Sequence, residues 1–207
     1  MTRLVIDARE PEEAVIATAA AILRQGGVIA YPTETFYGLA VDPKSDAAVR
    51  RLFEVKERDR RSPITLIAAD QLQAERAATF GPSERRLAAA LWPGPLTIVV
   101  PASSVLSSLL AAGRMVGIRV SAHPVARALA RLFGNCVTAT SANLSGRPPA
   151  ATASEVAAAL ESRIDLLIDA GPTPGGAPST IVEMIEGVPT LHRPGAVAWN
   201  RVLESLQ

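Results

Sequence analysis

The chain has 207 residues, with 21 Lys+Arg against 20 Asp+Glu, 48% hydrophobic and 4% aromatic residues. At about 100–200 residues per domain it is long enough for a real core and is expected to form one domain over residues 1–207. The near-neutral charge excludes a generally polybasic nucleic-acid binder, the apolar fraction excludes disorder, and one Cys with two His excludes a disulfide framework, a Cys-based zinc cluster and a His-rich metal site.

Along the chain, helical and extended signals alternate. The first residues carry Arg3, Asp7, Arg9 and Glu10 and no apolar signal core, and no stretch reaches the roughly 18 uncharged apolar residues of a membrane span, so a cytoplasmic protein without membrane contact is expected. Pro11 to Gln25 predicts a helix: Pro in the first turn, Glu12 and Glu13 at its positive end, Val15, Ala19, Ile22 and Leu23 on one face, and Gly26-Gly27 as terminator. Val28 to Tyr31 reads as a buried strand. Ser45 can cap a helix running to Lys56, with Val49, Leu52 and Phe53 apolar. Ile64–Ala68, Leu96–Pro101, Val116–Ser121 and Val137–Thr140 read as strands, and Pro124–Phe133 as a helix. Thr152 and Glu155 fit a capping box ahead of Val156–Leu160; Ile164–Asp169 and Ile181–Met184 are further strands, and Trp199–Leu206 a closing helix. The pattern is α/β with one core, and Pro172 to Pro178 reads as a mobile loop between strands.

The chemistry is narrowed by what is missing. There is no GxxxxGK[ST] loop, no GxGxxG after a strand, no HExxH and no GxSxG. Cys136 falls in an apolar stretch and reads as a small buried hydrophobe. What remains is positioning and charge stabilisation on an anionic substrate.

Four segments carry groups for that. Tyr31-Pro32-Thr33-Glu34-Thr35-Phe36-Tyr37-Gly38-Leu39 crowds hydroxyls and a carboxylate around a turn, although Thr33 or Thr35 could serve only as a cap. Lys56-Glu57-Arg58-Asp59-Arg60-Arg61-Ser62-Pro63 concentrates cations at a helix end. That is the ordinary dipole-favoured surface, unless the chain turns extended and aims Lys56 and Arg58 the same way at one polyphosphate. Thr138 to Pro148 (TATSANLSGRP) releases five hydroxyl or amide side chains from a buried strand, where open α/β sheets hold ligands. Finally, Arg119 sits in an apolar strand and must meet either an internal carboxylate or a bound anion, while Ser179-Thr180 and His192-Arg193-Pro194-Gly195 lie at other strand ends.

In order, YPTETFYGL, KER followed by SPI, WPGPLT, IRVSAHP, TSANLSGRP, STIV and HRPGA make the chain resemble the YrdC-like family of L-threonylcarbamoyladenylate synthases over residues 14–197. The resemblance implies a twisted open mixed sheet with flanking helices and a concave, positively lined face. It implies an enzyme, a nucleotidyltransferase joining ATP, L-threonine and bicarbonate into threonylcarbamoyl-AMP and pyrophosphate. Mg²⁺ would accompany the ATP, and a partner transferase would pass the product to adenosine in tRNA. It implies ATP binding by Lys56, Arg58, Ser141, Asn143 and Arg193, catalysis by Lys56 and Arg58, and L-threonine binding by Thr33, Thr35, Arg119 and Ser179, with the substrate anion as the partner of Arg119. It also implies the short form of the family, ending soon after HRPGA. Two departures are visible: Ser62-Pro63-Ile64 stands where many relatives carry Asn-Pro-Leu, and Ile67-Ala68-Ala69 stands where many end the strand in His. The competing readings are an RNA-binding protein that uses the same concavity on tRNA or double-stranded RNA, a diverged paralogue without synthase activity, and a carbamoyl-adenylate enzyme acting on another acceptor, as in the related domain of hydrogenase maturation proteins.

Overall fold

The structure, a computed structural model, describes residues 1–59, 63–110 and 114–207. Arg60, Arg61 and Ser62 of the basic segment therefore lie outside the described residues. In chain order the elements are β1 (Thr2–Val5), α1 (Glu13–Arg24), β2 (Ile29–Tyr31), β3 (Gly38–Ala40), α2 (Asp46–Lys56), β4 (Thr65–Ala68), α3 (Gln71–Ala77), α4 (Pro82–Leu91), β5 (Leu96–Pro101), β6 (Met115–Val120), α5 (Pro124–Phe133), β7 (Val137–Ser141), α6 (Ala153–Leu160), β8 (Leu166–Asp169), β9 (Thr180–Ile185), β10 (Val188–Arg193) and α7 (Trp199–Glu204).

Local chemistry sets most of the boundaries. Ser45 Oγ accepts from the Ala48 amide at 3.2 Å and starts α2. Thr152 and Glu155 form the reciprocal box that starts α6. Pro82 and Pro124 occupy the first turns of α4 and α5, where a missing amide costs nothing. Five elements have no counterpart among the expected ones: β1, β3, α3, α4 and β10. Of these, β3 is three residues, Gly38-Leu39-Ala40, with little intrinsic strand preference; its extended form is fixed by antiparallel partners on both sides.

Among the described residues, ten strands form one mixed sheet in the order β1-β8-β2-β3-β7-β4-β6-β5-β9-β10. The two faces are covered unequally. One is sealed by α2, α3, α4, α6 and α7, whose Leu52, Ala74, Leu87, Val156 and Val202 join Leu39, Leu66, Ile98, Ile118 and Val182 in one core. The other is covered in part, by α1 and α5, which pack Ile16, Leu23, Val125 and Leu129 on Ile29 and Ile168 of β2 and β8 and on Val137 and Ile67 of β7 and β4. Beyond those helices the same face continues uncovered. Cross-strand partners share a face, so the pairs Gly38–Ser141, Thr65–Ala139, Ile67–Arg119, Thr97–Ile181 and Ile181–Arg193 trace it from β3 to β10. Gly117 keeps it low: a Cβ there would stand 2.8 Å from Thr97 Cγ2 and 3.0 Å from Thr65 Cγ2.

Candidate active site

Over this uncovered face lies a cavity of about 1010 Å³, the size of a nucleotide with a small companion. Thr33, Thr35, Arg58, Arg119, Ser141, Asn143, Ser179 and Arg193 all line it, so eight of the nine expected site residues, drawn from opposite ends of the chain, meet in one place. Thr65, Thr140, Arg147, Pro148 and His192 line it too.

The ninth, Lys56, is placed differently from the expectation. The chain does not become extended after it: α2 ends at Lys56, and Glu57 turns left-handed at φ 52°. Arg58 is thrown outward to the cavity, while Lys56 points inward at 1% exposure and is absent from the lining. Its Nζ donates to Ser141 O at 2.5 Å, Asn143 O at 2.9 Å and Asn143 Oδ1 at 3.1 Å. All three donors are spent on the loop that follows β7, and the Ser145 amide bonds back to Lys56 O at 2.9 Å. Burial, then the neighbouring Arg58 charge, presses the ammonium down to about 7, against the pull of those oxygens.

Arg58 Nη1 donates to Thr140 Oγ1 at 3.0 Å and Nη2 to Pro63 O at 3.2 Å, so the guanidinium bridges the end of β7 and the approach to β4. Ser141 Oγ donates to Asn143 Oδ1 at 2.5 Å, and Asn143 Nδ2 donates to Arg147 O, which makes this loop a closed network. On the far side, Arg193 donates to Ser179 O at 2.8 and 3.2 Å and to Ser179 Oγ at 3.0 Å, and Ser179 Oγ lies 2.9 Å from Thr97 Oγ1. Arg193 is thus a clamp between two strands as well as a cavity cation. Burial and the approach of Arg119 both disfavour its charge, as burial does that of Arg58.

For Arg119, of the two partners the sequence left open, the structure shows the internal one. Its buried partner is a protein carboxylate: Nε donates to Glu34 Oε1 at 2.9 Å, and both side chains are about nine-tenths buried. Glu34 was visible in the Thr33-Glu34-Thr35 motif, but nothing in a linear sequence links it to residue 119. Thr33 Oγ1 donates to Phe36 O at 2.7 Å, accepts from the Thr35 amide at 3.2 Å and lies 3.2 Å from Thr35 Oγ1, which shapes the turn that carries Glu34. Cys136 is 2% exposed with its thiol pushed up to about 12, an inert core residue.

The lining therefore offers four guanidiniums, several hydroxyls and a packed floor, with one carboxylate standing behind. It can hold a multiply charged anion and neutralise charge that develops on it.

The model of a family described as "Telomere recombination", Sua5_yciO_yrdC, matches residues 21–195. The chain belongs to the Sua5/YciO/YrdC family. It is 38% identical over 201 residues to a threonylcarbamoyl-AMP synthase of Bacillus subtilis, covering 96% of this chain and 58% of that protein. It is 46% identical over 152 residues to one of Halorhodospira halophila, covering 72% and 80%. Among solved structures, Pyrococcus abyssi Sua5 complexed with L-threonine superposes with TM-score 0.92 at 37% identity, covering 98% of this chain and 61% of that one. Escherichia coli YciO gives 0.89 at 25%, covering 98% and 100%. The chain spans 58% and 59% of the length of the B. subtilis and P. abyssi synthases it matches. Among the described residues, no helix is long and apolar enough to cross a membrane.

Proposed function

We propose that the chain makes threonylcarbamoyl-AMP from ATP, L-threonine and bicarbonate. The observation that carries this reading is the gathering of Arg58, Arg119, Ser141, Asn143, Ser179 and Arg193 around one cavity. Its support is the relatives' name and the L-threonine in the P. abyssi structure.

Threonine lies over Arg119, its carboxylate on the guanidinium and its hydroxyl near Thr33, Thr35 and Ser179. The triphosphate lies between Arg58, Arg193 and the Ser141–Asn143 loop, with the Lys56 charge beneath that loop. The threonine amine and bicarbonate condense to an N-carboxy group with loss of water. One oxygen of that group attacks the α-phosphorus, the bond to the bridging oxygen breaks, and the electron pair leaves with pyrophosphate. Held cations meet the charge gathering there without reorganising, and no side chain bonds covalently to substrate.

Among the described residues no three of His, Cys, Asp and Glu converge as a metal cage. A Mg²⁺ arriving on the triphosphate would be held by phosphate oxygens, and the Thr140 and Ser141 hydroxyls that line the cavity could add oxygen ligands. Bound so, the ion would neutralise phosphate charge. The product would feed threonylcarbamoylation of tRNA adenosine by a separate transferase, placing the protein in the cytoplasm.

The test is incubation with ATP, Mg²⁺, bicarbonate and L-threonine, omitting each in turn, with pyrophosphate as the readout. Release should require threonine and bicarbonate together. Release indifferent to both would overturn the reading, as would binding of tRNA with no pyrophosphate formed.

A further inference from the structure

We infer that Glu34 is a positioning residue for Arg119, setting the site's preference for a substrate that bears a free α-carboxylate; this deepens the proposed function and rests on it. Glu34 does not itself line the cavity. Both its oxygens are engaged: Oε1 accepts from Arg119 Nε at 2.9 Å and Oε2 accepts from Ser121 Oγ. Ser121 is wholly buried, and its Oγ also accepts the His123 amide at 3.1 Å, just ahead of α5. The carboxylate is thus fixed from two strand-end points and is not free to act as a base.

The consequence falls on Arg119. Only Nε is taken, and neither terminal nitrogen has a hydrogen-bond partner among the described residues. Yet among those residues no buried side-chain nitrogen or oxygen lacks a partner. Each terminal nitrogen therefore keeps some accessible surface, and Arg119 is one of the residues that line the cavity. A guanidinium offers parallel N–H pairs along more than one edge, so a carboxylate held at Nε leaves the two-nitrogen end turned to an incoming carboxylate. Glu34 also keeps the buried cation paired while the site is empty.

The test compares binding of L-threonine and L-threoninamide by calorimetry, with a non-hydrolysable ATP analogue bound. Wild type should prefer the acid. Glu34→Ala should weaken L-threonine about tenfold or more, with little change for the amide or the ATP analogue, so the preference collapses. Glu34→Gln, which keeps an acceptor for Nε, should retain the preference. Should Glu34→Ala fail to fold, Ser121→Ala, which frees one carboxylate oxygen, should lower the preference in the same direction. A wild-type preference surviving in Glu34→Ala or, in that case, in Ser121→Ala would overturn the inference. So would a Glu34→Gln that loses it as fully as Glu34→Ala, since charge and not orientation would then be the cause. If wild type binds no threonine, or binds acid and amide alike, the threonine assignment itself is wrong and the inference goes with it.

Discussion

Arg58 and Lys56 sit two positions apart and do different work. Arg58 lines the cavity; Lys56 is sealed behind it with every donor used. Arg58→Ala should therefore leave thermal unfolding nearly unchanged and lower the rate of pyrophosphate formation about a hundredfold or more, the usual loss for a charge-stabilising group. Lys56→Ala should lower both, because it strands buried acceptors, and a normally folded Lys56→Ala with the wild-type rate would remove Lys56 from the mechanism. The lowered Lys56 proton affinity gives two pH effects. From about 7 to the ordinary 10.5 the unfolded chain holds more protons than the folded one, so stability should rise with pH across that window, by urea denaturation, and Lys56→Met should flatten the rise. A polyphosphate above the loop favours the ammonium, so ATP-analogue binding near pH 8 should take up protons, read by calorimetry in buffers of different ionisation enthalpy. Equal apparent enthalpies in every buffer would contradict this.

Between residues and sheet, the decisive contact is that of β10 and the turn after it on the segment before β9. Arg193 grips Ser179, the Ala196 amide bonds Pro178 O at 2.8 Å, and Thr180 Oγ1 donates to Val197 O at 2.7 Å. Gly195 lies so close that a Cβ would fall 2.3 Å from Pro178 O and 2.6 Å from Thr180 N, backbone atoms that cannot swing aside. Gly195→Ala should thus destabilise the fold by about 1–3 kcal/mol and weaken both ligands, since Ser179 and Arg193 move together. Denaturant midpoints and calorimetry check it. The same scale shows how far local signals reach. The starts of α2, α5 and α6 were legible from their caps or terminal Pro, whereas α3, capped by Asp70, and α4, opened by Pro82, carried the same kind of signal and were missed. The three-residue β3 was not legible, because its partner β7 is distant in sequence. By contrast, β10 was missed although it pairs with its neighbour β9 in a hairpin across Glu186-Gly187, a signal that was present locally.

For the whole molecule, the uneven covering of one sheet makes the site. Seven helices flank it among the described residues, but only α1 and α5 lie on the cavity face, and they stop short of β9 and β10. The positive charge is local, in a chain of net charge +1, so binding should depend on a recessed pocket and not on a broad basic surface. ATP-analogue affinity should then fall only modestly as salt rises, whereas a tRNA held by many phosphates would be lost steeply. A steep salt slope for the analogue would move the ligand out of the cavity and onto the surface.

Motif content alone determined the family resemblance and named eight of the residues that line the cavity, because side-chain chemistry and short-range order are written in linear spacing. It also gave Cys136 as core and the starts of α2, α5 and α6. Tertiary structure alone decided that Arg119 answers to Glu34, 85 positions away, and that Lys56 turns in where Arg58 turns out. Both depend on which strands become neighbours and on one left-handed residue at a helix end, and such long-range pairing leaves no periodic trace along a chain.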